Sequence, residues 1–372
     1  MEIPAQDAAH MARAVELAGR GHGTTSPNPV VGCVVLDAGG QVVGEGFHAY
    51  AGGPHAEVVA LAQVGERARG GTAYVTLEPC DHTGRTGPCS QALLAAGVAR
   101  VVIAVPDPNP KAAGGAARLR AHGVSVTSGV LAAEAERVNE EWLTYARLER
   151  SHVTWKFAAT LDGRSAAEDG TSQWITSPEA RADVHRLRAA ADAIVAGIGT
   201  VLADDPHLTA RPTPPAGPAG AGAGGRKPLR VVVDARARTP QGARVLDDSA
   251  PTLVAIAEDT DTELKADLLR LPSDGRGLDL EALLKELAAR DVVSVFLEGG
   301  PTLAGEFLRR GLVDRVVAYV APALLGSGRA ALGAAGVGTI GEIHRLTFDE
   351  ISLIGPDVRL IARPATQPGR EQ

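Results

Sequence analysis

The 372-residue chain reads as two consecutive α/β domains. Two observations predict this. Domains run about 100–200 residues, so a chain of this length holds about two. In both halves, apolar runs of strand length alternate with amphipathic helical stretches across short connections, the order that builds sheets covered by helices. The composition is 45% hydrophobic and 22% charged, ordinary for a globular protein, and with only 3% aromatics the cores should be aliphatic.

The elements follow in order. "DAAHMARAVELAGRG" is an amphipathic helix with Asp7 as N-cap and Gly21 near its end. "VVGCVVLDAGGQVVGEGFH" is a hairpin turning at Ala38–Gly40. "HAEVVALAQVGERA" is a helix, "TAYVTL" a strand, "CSQALLAAG" a helix and "RVVIAV" a strand. A helical stretch, "AAEAERVNEEWLTYARLER", then leads into the strand "HVTWKFAATLDG", which puts a boundary near residue 150 and domains at 1–149 and 150–372. The second half continues with "SPEARADVHRLRAAA" (helix), "AIVAGIGTVL", "LRVVVDA" and "PTLVAIAE" (strands), "DLEALLKELAAR" (helix), "VVSVFLEGG" (strand), "TLAGEFLRRG" (helix) and "VDRVVAYVAP" (strand). "RPTPPAGPAGAGAGGRKP" (Arg211–Pro228) has the composition of a linker. The chain between Ser151 and Ala210 is short for a domain and its strands need partners, so the reading is a surface loop within the second domain.

A net charge of −7 argues against affinity built on broad neutralisation of nucleic-acid phosphates. It leaves room for a small phosphorylated substrate held by a few arginines. No apolar run reaches the ~18 residues of a membrane span. The opening "MEIPAQDAAH" lacks the basic-then-apolar shape of a signal peptide. The expectation is a cytoplasmic protein whose thiols stay reduced.

Two of the three cysteines lie in "TLEPCDHTGRTGPC", just after a strand. A disulfide, a redox pair and a zinc site are the options, and the cytosolic setting disfavours the first. Upstream, "GPHAEVVAL" places His55 and Glu57 at the opening of a helix. Two thiolates and a neutral imidazole balance the charge of zinc and leave a fourth position for water. That water is acidified to a pKa of ~7, giving hydroxide at neutral pH. Glu57 is two residues from His55, or ~200° around an ideal helix, which suits a carboxylate beside a metal rather than on it. Pro88 reads as the first helical residue, with Cys89 at a helix N-terminus that favours thiolate. Alternatives remain: His82 as a fourth ligand closing a structural zinc site, or thiols that are merely small buried side chains. Cys33, inside an apolar strand, reads as core.

The H-x-E…P-C…C set resembles the zinc-dependent cytidine deaminase superfamily, whose handling of a base uses one His, two Cys and a non-ligating Glu. The usual C-x-x-C is replaced by eight intervening residues. Together with "TSPNPVVGCV", "GPHAEV" and "VPDPNP", and with "KFAATLDGR", "SQWITS", "TVLADDPHLTAR", "VVVDAR", "EGGPTLAGEFL" and "VAYVAPALLG" in the second half, that spacer closely resembles the bifunctional riboflavin-biosynthesis deaminase–reductase family. The resemblance implies a cytidine-deaminase-like α/β/α sandwich followed by a dihydrofolate-reductase-like α/β domain. It implies zinc on His55, Cys80 and Cys89, with Glu57 catalytic, and deamination of a diaminopyrimidinone bearing a phosphoribosylamino group by zinc-bound hydroxide. Asn28 is then the expected ring contact, because an amide donates and accepts at once; plain turn chemistry is the alternative. His82 and Arg85, in the spacer, are expected near the substrate's phosphate or ribose, or else are solvated loop residues.

For the second half the resemblance implies NADPH-dependent reduction of the ribosyl group to ribityl. No G-x-G-x-x-G follows a strand. The strand–glycine–helix run "VFLEGGPTLAGEFL" takes its place: Gly299 and Gly300 allow close approach, and Pro301 presets the first helical turn, whose free N–H groups suit a phosphate. By positional match Ala158, Trp174, Thr200, Asp204, Gly300, Pro301, Thr302, Leu303, Ala304, Gly305 and Glu306 fall on cofactor positions. Ser172, Arg188, Leu208, Arg211 and Glu298 fall on substrate positions. The two arginines suit phosphate, although Arg188 also fits a solvent-facing helix position and Trp174 a core one. Lys156, on an otherwise apolar strand, is the expected catalytic group of this half, since a buried ammonium needs a reason. Ala235 stands where the family often has serine, so a hydroxyl contact to the cofactor is expected to be absent. Arg236 and Arg238 are candidates for reading the cofactor's 2′-phosphate. The resemblance also implies a homo-oligomer. Two other accounts stay open: a nucleic-acid deaminase with an accessory domain, and a monofunctional deaminase whose second half only binds or dimerises.

Overall fold

The computed structural model describes residues 3–82, 87–211 and 227–365. They form two compact units, one running up to Glu149 and one from Arg150 onward.

The first unit is a five-stranded sheet in the order β2-β1-β3-β4-β5, built from β1 (Gly32–Leu36), β2 (Val42–Phe47), β3 (Thr72–Leu77), β4 (Arg100–Val105) and β5 (Ser125–Ser128). β1 runs antiparallel to both neighbours, while β3, β4 and β5 are parallel. One face carries Cys33, Val35, Val75, Val101 and Ile103 and is covered by Ala56, Ala60, Leu93 and Leu119 from α2 (Ala56–Ala62), α3 (Cys89–Ala96) and α4 (Gly115–Ala121). α1 (Ala5–Gly19) and α5 (Ala132–Val138) pack against the sheet as well, and α6 (Glu140–Leu148) follows. Cys33 is fully buried in this core, as its strand position suggested.

Several local expectations change. α1 starts at Ala5 with Pro4 as N-cap, and Asp7 is a buried first-turn residue instead of the cap. Its carboxylate accepts from Arg100 Nη2 at 2.6 Å and from the Tyr74 hydroxyl at 2.8 Å, tying helix to sheet. The helix after His55 lasts only seven residues and gives way to a 3-10 turn at Gly65–Ala68. The long stretch before the second unit breaks at Asn139, whose Oδ1 accepts the Val30 N–H at 3.1 Å. Pro88 is the N-cap and Cys89 the first helical residue, one position later than expected.

The second unit is a nine-stranded sheet in the order β10-β9-β8-β7-β11-β6-β12-β14-β13. Its strands are β6 (His152–Thr160), β7 (Ala193–Gly197), β8 (Leu229–Val233), β9 (Thr252–Ala257), β10 (Asp267–Leu271), β11 (Ser294–Leu297), β12 (Arg315–Ala321), β13 (Leu346–Ile354) and β14 (Asp357–Pro364). From β10 to β12 all neighbours are parallel, and β14 and β13 complete the sheet antiparallel. α9 (Leu280–Ala288) and α10 (Pro301–Arg309) bury Leu283, Leu287, Ala304 and Phe307 on one face. α7 (Pro178–Ala190) and α8 (Ile198–Asp204) bury Ala180, Val184, Ile198 and Val201 on the other. The run "AIVAGIGTVL", expected as one strand, ends its strand at Gly197 and turns directly into α8. The expected loop between Arg211 and Pro228 lies largely outside the described residues.

Candidate functional site

His55, Cys80 and Cys89 converge in the first unit. The Cys89 Sγ lies 3.2 Å and the Cys80 Sγ 3.6 Å from His55 Nδ1, and all three donor atoms lie within 4.8 Å of one another. Zinc–sulfur bonds of ~2.3 Å and zinc–nitrogen bonds of ~2.0 Å in a tetrahedron separate donors by about 3.5–3.8 Å, so the set fits one zinc ion. Among the described residues this is the one group of three or more such side chains able to hold a metal.

Each donor is placed by a different element. His55 is the N-cap of α2 in extended conformation, with φ −71° and ψ 159°. The helical-wheel separation from Glu57 therefore does not apply; its carboxylate is outside the three clustered donors but in hydrogen-bonding contact with Cys89. α2 can approach because β2 is small there: a Cβ at Gly46 would stand 2.3 Å from the Ala56 carbonyl oxygen. Cys80 follows β3 in a loop fixed by Glu78, whose carboxylate accepts from the N–H groups of Asp107, Gly114 and Ala116 at 3.2, 3.2 and 3.0 Å. Gly115 seats α4 against this loop, since a Cβ there would meet the Pro79 carbonyl oxygen at 1.8 Å. Cys89 begins α3, and its N–H points to Cys80 Sγ at 3.5 Å.

The electrostatics favour a cation here. The Cys89 thiol and the His55 ring pull the Cys80 thiol down to about 4. The resulting sulfur charge, with burial, pushes the Cys89 thiol far up. A second thiolate beside the first needs a positive ion between them. Glu57 is buried, and burial pushes its carboxyl above the usual range, as a group that carries a proton requires.

Around this centre, Asn28 Nδ2 lies 3.3 Å from His48 Nε2, and His48 Nδ1 lies 3.0 Å from the Pro54 carbonyl oxygen. A carbonyl only accepts, so Nδ1 carries the hydrogen and Nε2 accepts from Asn28. Burial holds the His48 pKa down, consistent with that neutral ring. His48 also stands edge-on to the His55 ring, with centroids 5.5 Å apart. The sequence reading passed over His48; its signal was a lone histidine closing "VVGEGFH". His82 is exposed, and Arg85 lies outside the described residues.

The second unit holds a cleft of about 1930 Å³ at the carboxyl ends of its parallel strands, the usual ligand position in open α/β sheets. Glu298, at the end of β11, is buried between two cations: Arg188 Nε at 2.7 Å and Lys156 Nζ at 3.3 Å. Burial alone would raise its pKa, but Arg188 and Lys156 outweigh it and hold the carboxylate ionised. Arg188 is thus no solvent-facing helix residue; its side chain is 18% exposed and also donates to the Thr209 carbonyl at 3.1 Å. Ala158, Ser172, Thr200, Asp204, Leu208 and Arg211 line the same cleft, as do Gly300, Pro301, Thr302, Leu303 and Glu306. Trp174 is on its rim, 69% exposed, with the Arg181 guanidinium 4.4 Å above its ring, so the core alternative for it falls. Ala304 and Gly305 face the other way: Ala304 is fully buried in the core, and a Cβ at Gly305 would meet the Ala334 carbonyl oxygen at 2.4 Å. His185, which the sequence reading missed, also lines the cleft and accepts the Arg211 N–H at 3.3 Å.

The cofactor's fit to this cleft can be judged from the protein. Gly300 caps α10 and Pro301 opens it, leaving first-turn N–H groups free toward the cleft. Because α8 is a helix, Thr200 comes within 3.5 Å of where a Gly300 Cβ would sit. A chain of small and polar groups therefore lines the approach to the Lys156–Glu298 pair, as an extended dinucleotide requires.

Comparison with known proteins gives a family description for each unit. The family description "RibD C-terminal domain" matches residues 151–360, and "Cytidine and deoxycytidylate deaminase zinc-binding region" matches residues 4–105. The riboflavin biosynthesis protein RibD of Escherichia coli K12 is 45% identical over 365 residues, covering 95% of this chain and 98% of that protein. The RibD of Mycobacterium tuberculosis is 48% identical over 351 residues, covering 94% and 95%. The chain belongs to the RibD family. The solved structure of Acinetobacter baumannii RibD superposes with a TM-score of 0.86 at 39% identity, over 97% of this chain and 99% of that one. A Thermotoga maritima deaminase/reductase superposes with a TM-score of 0.83 at 35% identity, over 97% and 99%. Like other RibD proteins, the chain is a bifunctional deaminase and reductase, with a zinc-binding deaminase region and a reductase domain of an NADPH-using family.

Proposed function

We propose that residues 1–149 deaminate 2,5-diamino-6-(5-phosphoribosylamino)pyrimidin-4-one and that residues 150–372 reduce the ribosyl group of the uracil product to ribityl with NADPH. The observation that carries the reading is the convergence of His55, Cys80 and Cys89 from three elements on a common point, with buried Glu57 beside it. Zinc held there supplies an acidified water as nucleophile. Glu57 would accept one proton of the water and pass it to the ring nitrogen, then carry the second, from the new hydroxyl, to the departing amine, so that the C–N bond breaks as C–O forms and ammonia leaves. Asn28, oriented by His48, pairs with the pyrimidine edge. By their place in the spacer sequence, His82 and Arg85 are assigned to the phosphoribosyl end of the substrate; Arg85 lies outside the described residues.

NADPH in the cleft of the second unit supplies the hydride. Gly300, Pro301, Thr302, Leu303 and Glu306, with Ala158, Trp174, Thr200 and Asp204, bind it. Ser172, Arg188, Leu208, Arg211 and Glu298 hold the substrate. Lys156 carries the proton that balances the hydride as the sugar ring opens. Glu298 holds Lys156 in place through an ion pair at 3.3 Å. The cytosol is the proposed location. Among the described residues no helix is long and apolar enough to cross a membrane. The substrate is a small molecule, nucleic acid is not a partner, and the chain works as a homo-oligomer. The apolar side chains Phe348, Ile351 and Leu353, exposed on β13, support the last point.

A coupled assay tests the whole reading. The purified chain, given the diaminopyrimidinone and NADPH, should release ammonia and oxidise NADPH. Ammonia release without NADPH oxidation would instead favour a monofunctional deaminase.

A further inference from the structure

The cleft of the second unit extends beyond the Lys156–Glu298 pair, over the ends of β8, β9 and β10, and its character changes there. Val233, Ala235, Ala257, Leu278 and Leu280 make an apolar slot. Three arginines stand in the cleft wall around it: Arg236 and Arg238 in the turn after β8, and Arg276 in the turn after β10. Arg238 is partly engaged, with its Nε 3.9 Å from Asp234. The side chains of Arg236 and Arg276 make no hydrogen bond or ion pair among the described residues and are exposed. Asp259 is an acidic group on the same stretch of wall. Asp234 is set against Arg238, and Asp274, beside Arg276 in its turn, is taken by Arg310, so Arg236 and Arg276 are left as the unengaged cations of this rim among the described residues.

Resting on the reductase reading, we infer that Arg236 and Arg276 together grip the 2′-phosphate of NADPH, with its adenine in the adjoining apolar slot. The spacing supports it. β8 and β10 flank β9 in parallel, so the turns that follow them start about 10 Å apart, at ~4.8 Å per strand. Two arginine side chains reaching inward across that gap can meet on a single phosphate over the end of β9. The free N–H groups of α10 lie after β11, two strands from β8. That order places the pyrophosphate at α10 and the adenosine toward β8–β10, with the reacting end left at Lys156 on β6. The guanidinium fork matches a phosphate dianion, whereas the 2′-hydroxyl of NADH offers it no charge.

The test is isothermal titration of the full chain and of Arg236→Ala, Arg276→Ala and the double variant with NADPH and NADH, and with 2′,5′-ADP and 5′-AMP as fragments. Each single change should weaken NADPH and 2′,5′-ADP at least about tenfold, the loss of one charge-assisted phosphate contact. NADH and 5′-AMP should bind as before, and the double variant should lose its preference for the phosphorylated forms. If the variants keep that preference, or lose NADH and NADPH alike, the arginine assignment is overturned while the cofactor reading stands. If the unaltered chain binds neither dinucleotide, the reductase reading itself fails.

Discussion

Glu298 has no reason to be charged on the grounds of burial, yet Arg188 and Lys156 keep it so. Removing one of the two cations should therefore disturb chemistry more than folding. Lys156→Met is expected to lower the rate of NADPH oxidation by a factor on the order of 10²–10³, the usual scale for a lost charge-stabilising group. NADPH binding, followed by fluorescence titration, should persist. In the first unit, Glu57→Gln should reduce ammonia release by about 10²–10⁴, as for other positioned proton carriers, while zinc content measured by atomic emission stays at the level of the unaltered chain. Cys89→Ser should remove the zinc itself. These residues were legible because their chemistry is rare in sequence: two closely spaced thiols, a His-x-Glu and a lysine in an apolar strand. His48 and His185 were not, because a single histidine carries no spacing, and only the folded chain brings it against Asn28 or Arg211.

At the level of elements, strands with strong apolar runs read correctly: "TAYVTL" is β3 and "RVVIAV" is β4, residue for residue. The elements that sequence reading missed lack that signal. β5 is "SVTS", with no residue fully buried. α4 begins at a glycine behind a left-handed Gly114. β13 is exposed along most of its length, and a bulge between Phe348 and Glu350 breaks its alternation, so no period of two survives. "IGTVLAD" has the β-branched and glycine residues of a strand but folds as α8, where packing of Ile198 and Val201 overrides propensity. The close seat of α2 on β2 gives a test at this scale. Gly46→Ala would force a Cβ against the Ala56 backbone, which overpacking data put at about 1–3 kcal/mol. Because the displaced end of α2 carries His55, the variant should show weaker zinc retention against a chelator as well as a lower melting temperature.

Across the molecule, buried carboxylates are tied to arginines in both sheets. Arg100 is the main influence holding the Asp7 carboxyl below the ordinary range. Burial would raise Asp183 and Asp314, but Tyr319 and Arg359 for the first and Arg150 for the second outweigh it. A folded-state pKa below the unfolded value means the stabilisation is complete above the ordinary carboxylate pKa of ~3.9 and is lost as pH falls through the depressed values. Thermal melts should therefore be nearly flat from pH 7 to about 5 and drop below about 4, and Asp7→Asn should flatten that acid limb. The two-sheet layout was readable from the alternation of elements; the nine-stranded order of the second sheet was not, because strand neighbours are set by long-range pairing that local pattern does not encode. Since each sheet has its own core and its own reactive cluster, damage to one catalyst need not spoil the other. A preparation of Glu57→Gln chains mixed with Lys156→Met chains should complement in one vessel, each supplying the step its companion lacks, with the intermediate passing between molecules by diffusion.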